Sequence, residues 1–370
     1  MSSSIPQVQV AEHSVGRMGY GLMQLTWNPK PPAEEDSFKA MKAAADAGAT
    51  CWSTATFYGP DFANIKLIAN FFKKYPEYKE KIVLVVKGGQ DYTTIAPKSD
   101  DIDFLRSDVN KTQEILGDKK IDVYSVARLP HGVSVEEVFN NLETLRKEGL
   151  YNAVAASEMG VESLKKAHAI TPIAVIEIEV SLFSYEQKIR DVVEWSKENK
   201  VPIFAYSPLG RGFLTRTYKS PEDIPEGDFK KSVPRFQGEA FYENLKLVDR
   251  LDEIASKKGV NTSQLALAWI IGLSGYTIPI PGSSNPKRAE ENTVAANIKL
   301  SPEENKTISD ILDTFEIKGT RYPGAMMDHL KELCSLISMD TVSVHINAIN
   351  KYWTNADVEQ HSRLLSLLIE

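Results

Sequence analysis

The chain has 370 residues, of which 42% are hydrophobic, and carries a net charge of −7. That length and composition can bury a large core, and α/β barrels commonly use about 250 residues or more as one domain, so one main domain is expected. The acidic balance argues against a nucleic-acid or anionic-membrane partner, which would need a basic face. With only Cys51 and Cys334 there is no disulfide framework. A reducing compartment follows, and the opening MSSSIPQVQV carries no basic then apolar leader, so a cytoplasmic location is expected.

Short β-branched runs alternate with longer stretches of helical period, the pattern of βαβ units and a parallel sheet. Eight runs predict strands near Arg17 to Gly21, Thr50 to Ser53, Ile82 to Lys87, Ile121 to Ala127, Asn152 to Ser157, Ala174 to Glu179, Pro202 to Tyr206 and Tyr276 to Ile280. Eight such units predict a closed (β/α)8 barrel rather than an open sheet. The clearest helix is SVEEVFNNLETLRKEG, with Val135, Val138, Phe139, Leu142 and Leu145 on one face. Ser134 and Glu137 form a potential capping box, and Gly149 marks the stop. SFKAMKAAADAG and SQLALAWIIG show similar faces, each closed by glycine.

The stretch from Arg211 to Phe241 is rich in Pro, Gly and charge, and too long for an ordinary connection. Following the seventh strand, it is expected to form a flap over a bound cofactor. The barrel is assigned to residues 1–327 and a C-terminal extension to 328–370, where Leu330, Leu333, Leu336 and Ile337 have helical spacing.

Tyr58 and Lys87 each end a short apolar run, in CWSTATFYG and KIVLVVKGG. On neighbouring parallel strands the ammonium would lie beside the phenol and lower its pKa, making Tyr58 a proton donor near neutral pH. FAYSPLGRGFLT places the aromatic face of Tyr206 and a glycine-rich turn after the seventh run, and IPIPGSSNPKRAEEN places an anion cradle after the eighth. In that cradle Asn285 is an N-cap and Pro286 the first helical residue, leaving N–H groups, Ser283, Ser284 and Arg288 to clasp a 2′-phosphate. Arg288 and nearby Lys287 favour NADP over NAD, because a free ribose 2′-hydroxyl needs an acidic acceptor. Gly19 to Gly21 lack the third glycine and helix of a Rossmann fingerprint, and read instead as a first strand that approaches the cofactor closely at Gly21. The six histidines lie singly, so no metal site is expected.

From about Gly16 to about Tyr322 these residues resemble the aldo-keto reductases. GYGLMQLTW, FYGPDFAN, VKGG, VSLFS, YSPLGRGFLT, IPIPGSS and RYPG look most like the fungal pyridoxal reductases. The resemblance implies hydride transfer from NADPH to an aldehyde, with Tyr58 protonating the carbonyl oxygen and Lys87 stabilising the tyrosinate. In the family an aspartate five residues before the tyrosine pairs with the lysine, and a histidine on the fourth strand orients the carbonyl. Ser53 and Ala127 stand at those positions. Ser53 brings no charge, so Lys87 is expected to be poorly compensated, with a lowered pKa; His131 lies on the following loop.

The resemblance further implies that Ser157, Glu158 and Glu177 face the nicotinamide carboxamide. The ring of Tyr206 stacks beneath the nicotinamide, and Ser207, Leu209, Gly210 and Arg211 follow the pyrophosphate. Gly282 opens the cradle, and Arg288, Glu291 and Asn292 match the family's R-x-x-E-N at the adenosine. Pyridoxal is the expected substrate, with generic aldehydes or α-dicarbonyls as alternatives. A slow-turnover NADPH-binding regulatory subunit, of the kind seen in potassium-channel β subunits, is the rival reading. Oligomeric state stays open.

Overall fold

The computed structural model of the protein describes residues 5–324, so the extension assigned to 328–370 lies outside the described residues. Its first elements are a hairpin that the sequence reading missed, β1 (Gln7–Val10) and β2 (His13–Gly16), paired antiparallel with Val8 opposite Val15. There follow β3 (Tyr20–Gly21), α1 (Glu34–Asp46), β4 (Cys51–Ala55), α2 (Ala63–Lys74), β5 (Val83–Gly88), α3 (Ile102–Leu116), β6 (Val123–Val126) and α4 (Val135–Lys147). The second half contains β7 (Ala153–Ser157), α5 (Val161–Ile170), β8 (Ile173–Glu179), α6 (Gln187–Asn199), β9 (Ile203–Tyr206), α7 (Gly238–Lys258), α8 (Thr262–Leu273), β10 (Thr277–Pro279), α9 (Pro286–Val294) and α10 (Pro302–Thr314).

β3 to β10 form one parallel eight-stranded sheet in sequence order. It closes into a (β/α)8 barrel where Gly19 N donates to Pro279 O at 2.9 Å and Gly21 N to Pro281 O at 3.4 Å. Closure explains two glycines. A Cβ on Gly21 would lie 2.7 Å from Ile280 O, and one on Gly282 would lie 2.7 Å from Gly21 O. Their bare backbones let the first and last strands meet, so Gly21 and Gly282 serve the seam of the barrel.

Alternate strand residues point to opposite faces, and the chain uses this fully. Trp52, Leu84, Tyr124, Val154, Ile176 and Ile203 face outward into the cluster made with the helices. Cys51, Val83, Val85, Val123, Ala155, Val175, Phe204 and Ile278 fill the barrel interior together with Val10 and Val15 of the hairpin, which plug the end where the strands begin. Continuing each inward row toward the C-terminal end of the sheet brings polar groups: Ser53 after Cys51, Lys87 after Val85, Ser125 after Val123, Ser157 after Ala155 and Glu177 after Val175. The inward face is therefore apolar at one end and polar at the mouth.

On the outside, Ser134 caps α4 by accepting a bond from Glu137 N at 3.1 Å. α8 runs through Gly272 and ends at Leu273, one turn element later than the glycine stop expected from sequence. Its apolar residues cover nearly all sides because it packs against β10, α7 and the segment after β9. The stretch expected to be a flap over a cofactor consists of 3-10 turns at Gly210–Thr215, Pro221–Asp223, Phe229–Ser232 and Pro234–Phe236, and α7 starts within it at Gly238. Phe213 anchors it, with ring centroids 4.4 Å from Phe236 and 4.9 Å from Phe183. Among the described residues, no helix is long and apolar enough to cross a membrane.

Candidate active site

Tyr58 sits on the loop after β4, where its N–H donates to Ala55 O at 3.3 Å and its carbonyl accepts from Thr26 Oγ1 at 2.7 Å. Trp27 stacks on its ring at 5.5 Å and Phe57 meets it edge-on. Asn64 locks this loop by donating to Leu22 O at 2.9 Å and Thr26 Oγ1 at 2.6 Å. Lys87, one residue from the end of β5, brings its ammonium to 5.2 Å from the centroid of the Tyr58 ring.

The charge partner of Lys87 comes from across the barrel. Glu177 of β8 places Oε1 2.7 Å from Lys87 Nζ, both side chains being about 95% buried with exposures of 5% and 6%. Ser53 lies between them: its Oγ accepts from Lys87 Nζ at 2.7 Å and donates to Glu177 Oε2 at 2.7 Å. This arrangement bears on two sequence expectations and corrects the second. Glu177, assigned to the nicotinamide carboxamide, has both carboxylate oxygens engaged by Lys87 and Ser53. Lys87, expected to be poorly compensated, has a full carboxylate against it. Burial alone would push the ammonium's pKa down, but the Glu177 carboxylate and the Tyr58 phenol outweigh it and hold the pKa above the ordinary lysine value.

The phenol is also corrected. Burial raises the Tyr58 pKa above its ordinary value; Lys87 pulls it down, and Glu177 pushes it up again. Desolvation wins, so Tyr58 is held protonated at neutral pH rather than being a lowered-pKa acid, and protonated is the form that donates. Ala127 packs with Ala55 and Phe57 beside Tyr58 and leaves room where an imidazole would stand. His131 is exposed in the following turn. Arg128, which the sequence reading passed over, folds back so that Nη1 donates to Ala127 O at 2.6 Å.

Beyond β7 and β8 the mouth holds a second buried cluster that sequence alone did not suggest. Glu158 accepts at Oε1 from Glu179 N at 3.0 Å and at Oε2 from Arg321 Nη2 at 3.3 Å. Arg211 donates through Nη2 to Glu179 Oε2 and through Nη1 to Arg321 O, each at 2.8 Å. Arg235 donates to Phe183 O at 2.7 Å and to Gly319 O at 3.1 Å. Glu158 and Arg211, expected at the carboxamide and the pyrophosphate, thus have their charges committed to this network. Buried charges need such partners, and here they tie the Gly319–Tyr322 segment across the barrel mouth. Glu179 is desolvated, yet Arg211, Arg321 and Arg235 hold its carboxyl below the usual range. Tyr206 presents its ring at the end of β9 with its hydroxyl 3.2 Å from that of Tyr322. The turn after it passes through left-handed backbone at Ser207 (φ 49°), Gly210 (φ 59°), Arg211 (φ 55°) and Gly212 (φ 111°). Leu209 packs against a buried cluster that includes Met18 and Leu267.

The features that fit a nicotinamide dinucleotide are clearest at the adenosine end. Asn285 Oδ1 caps α9 by accepting from Arg288 N at 3.0 Å, and Pro286 opens the helix. The Arg288 guanidinium and the Ser284 and Asn292 side chains make no hydrogen bond or ion pair with any described residue. Ser283 Oγ accepts from Asn285 N at 3.1 Å, and Glu291 stands 3.8 Å from Lys287. At the nicotinamide end, the Ser157 hydroxyl has no partner among the described residues and remains as a donor. The residues present therefore fit the group, with fewer free carboxamide contacts than the sequence implied.

A model described as the aldo/keto reductase family matches residues 17–313. The chain is 37% identical over 317 residues to a probable pyridoxal reductase 2 of Schizosaccharomyces pombe, covering 83% of this chain and 95% of that protein. A putative pyridoxal reductase of Saccharomyces cerevisiae is 35% identical, covering 82% and 95%. An aldo-keto reductase of S. pombe whose name specifies NADP(+) is 34% identical, covering 86% and 95%. Among solved structures, a glycerol dehydrogenase from Gluconobacter oxydans superposes with a TM-score of 0.72 at 21% identity, covering 86% of this chain and 98% of that one. At that identity the likeness speaks for the fold alone.

Proposed function

Because this chain belongs to the aldo/keto reductase family and is an oxidoreductase acting on aldehydes, we propose that it reduces pyridoxal with NADPH, Tyr58 being the proton donor. The observation that carries this reading is the buried Lys87–Glu177–Ser53 cluster set against the Tyr58 ring at the polar end of the barrel. The pyridoxal reductase relatives support the substrate, and the relative named with NADP(+) together with the open Arg288 supports the cofactor.

Ser157 would hold the carboxamide, Tyr206 the nicotinamide face, and Ser283, Ser284, Arg288 and Asn292 the adenosine phosphate and base. Bound there, the reduced nicotinamide supplies a hydride, and with it two electrons, to the carbonyl carbon. Tyr58 gives its proton to the carbonyl oxygen as negative charge develops there, so the product is the alcohol and the phenol becomes tyrosinate. The Lys87 ammonium, too far buried to be screened by bulk water, offsets that tyrosinate charge. Glu177 keeps Lys87 protonated, and Ser53 fixes the geometry of the pair. Solvent then returns a proton to Tyr58. The carboxylate beside Lys87 also weighs against the slow regulatory-subunit reading, which drew on the missing aspartate.

Tyr58→Phe tests the assignment, since it keeps the ring stacked on Trp27 and removes only the hydroxyl. NADPH affinity, by fluorescence titration, should be retained, while single-turnover oxidation of bound NADPH by pyridoxal should slow by about 10² to 10⁴, the usual contribution of a positioned general acid. Oxidation as fast as in the parent would make Tyr58 a structural turn residue and end this reading.

A further inference from the structure

Among the described residues at the mouth of the barrel, Arg128 is a cation that none of these steps uses and that stands outside the buried ion-pair network. Arg128 directly follows Ala127 after β6, and Ala127 is packed against the Phe57 and Tyr58 loop. Its Nη1 donates to Ala127 O at 2.6 Å, so the half-buried side chain folds back on its own backbone beside that loop. Among the described residues that is the only hydrogen bond its guanidinium makes, and no carboxylate lies within ion-pair distance of it. The neighbouring arginines contrast with it: Arg211, Arg235 and Arg321 each pair with a carboxylate. The guanidinium is nonetheless within electrostatic range of the Tyr206, Tyr322 and Tyr58 phenols and of Glu158. A partly buried guanidinium has five N–H donors in a planar fork, and here most of them have no acceptor from the chain.

The walls around this cation are aromatic. Trp27 stacks on Tyr58 and meets Phe57 edge-on, and the Tyr206 hydroxyl lies 3.2 Å from that of Tyr322. Aromatic faces accept a flat ring, and a bound ring that displaces water strengthens a charge pair formed beside it. A ligand that satisfies both features is an aromatic ring carrying a negative oxygen close to the group that Tyr58 protonates.

We infer that Arg128 binds an ionised ring oxygen ortho to the reacting aldehyde, so that hydroxylated aromatic aldehydes are the preferred substrate class. This rests on the reading of Tyr58 as proton donor, and deepens it: pyridoxal, with its ring hydroxyl beside the aldehyde, is one member of the class. Arg128 is then a specificity-determining residue, which holds the ring in one orientation and leaves the aldehyde oxygen to Tyr58.

The test compares kcat/KM for pyridoxal with 4-pyridinecarboxaldehyde, and for 2-hydroxybenzaldehyde with benzaldehyde, in the wild type, Arg128→Met and Arg128→Lys. The hydroxylated member of each pair should be preferred by about 10- to 100-fold in the wild type, the range of a charge-assisted hydrogen bond, with the preference collapsing toward one in Arg128→Met and partly returning in Arg128→Lys. The change should fall mainly on KM. A preference unaltered by Arg128→Met overturns the inference, and so does an equal loss of NADPH affinity, which would assign Arg128 to the cofactor. A binding arm needs no turnover: pyridoxine and 4-pyridinemethanol are titrated against the NADP(+) complex, with tryptophan fluorescence as the signal. If the wild type reduces none of the aldehydes, the proposed function falls, while tighter binding of pyridoxine that is lost in Arg128→Met still upholds the role of Arg128. Equal binding of the two alcohols overturns it.

Discussion

Replacing Glu177 by Gln removes one charge from a nearly dry site and changes little else. The pair it breaks has a separation of 2.7 Å, with both side chains buried. At an effective dielectric constant near 20, Coulomb attraction at that distance is about 6 kcal/mol, much of it offset by the desolvation of both ions. Breaking a buried pair by removing one partner costs about 3–5 kcal/mol, and the lower end applies because the Gln carbonyl still accepts a bond from Lys87 or Ser53. A loss of about 3 kcal/mol in urea unfolding at neutral pH is therefore expected. Its pH dependence has a definite sign. In the wild type the folded-state pKa of Lys87 is raised, so its stabilisation is complete below the ordinary lysine value and lost as pH rises through the folded pKa. In Glu177→Gln only burial and Tyr58 act, the lysine pKa falls, and the penalty for burying the ammonium is relieved as pH rises. The stability difference between the two proteins should narrow toward alkaline pH. Turnover should follow the same logic, since without Glu177 both the Lys87 and the Tyr58 pKa move down and the alkaline limb of the reduction profile moves with them. Ser53→Asp supplies the control. With Ser53 Oγ already 2.7 Å from Glu177 Oε2, Asp at 53 alone would set two carboxylates in contact and destabilise, whereas Ser53→Asp with Glu177→Gln should recover much of the loss. Stability within about 0.5 kcal/mol of the parent, with an unchanged pH–rate profile, would refute the pair as the support of Tyr58.

Two further substitutions address the cofactor and the scaffold. Arg288→Ala should weaken NADPH binding by about 1.5–3 kcal/mol while hardly affecting NADH, as read by fluorescence titration with both; equal losses would remove the 2′-phosphate assignment. At Gly88, next to Lys87, an added Cβ would fall 1.9 Å from Asp108 Oδ2 and 2.3 Å from the Tyr124 hydroxyl, groups that bond each other at 2.6 Å. Gly88→Ala should therefore cost about 1–3 kcal/mol in thermal or urea unfolding and lower turnover by shifting the end of β5; a variant as stable as the parent would show that this contact relaxes freely.

The alternation of strand and helix, the eight runs and their apolar character were legible because hydrophobic period is a local property of the chain. Tyr58, Lys87 and the α9 cradle were legible for the same reason: each sits at the end of a run or the opening of a helix, and the chain itself marks those places. The hairpin of Gln7–Val10 and His13–Gly16 was not, since four-residue strands with exposed Gln7, Gln9, His13 and Ser14 carry little period to read. What the tertiary structure alone decided is which charges meet. Glu177 is 90 residues from Lys87 in the chain and on a strand three places away in the sheet, and only closure of the barrel turns their shared inward face into a 2.7 Å ion pair. Inward alternation from Val175 to Glu177 placed the carboxylate in the lumen, but not opposite which group. Likewise Arg321 reaches Glu158 and Glu179 only because the chain after α10 returns across the mouth. A residue's face is set by its neighbours in sequence, whereas its electrostatic partner, and hence the pKa of the acid it supports, is set by distance through a low-dielectric interior.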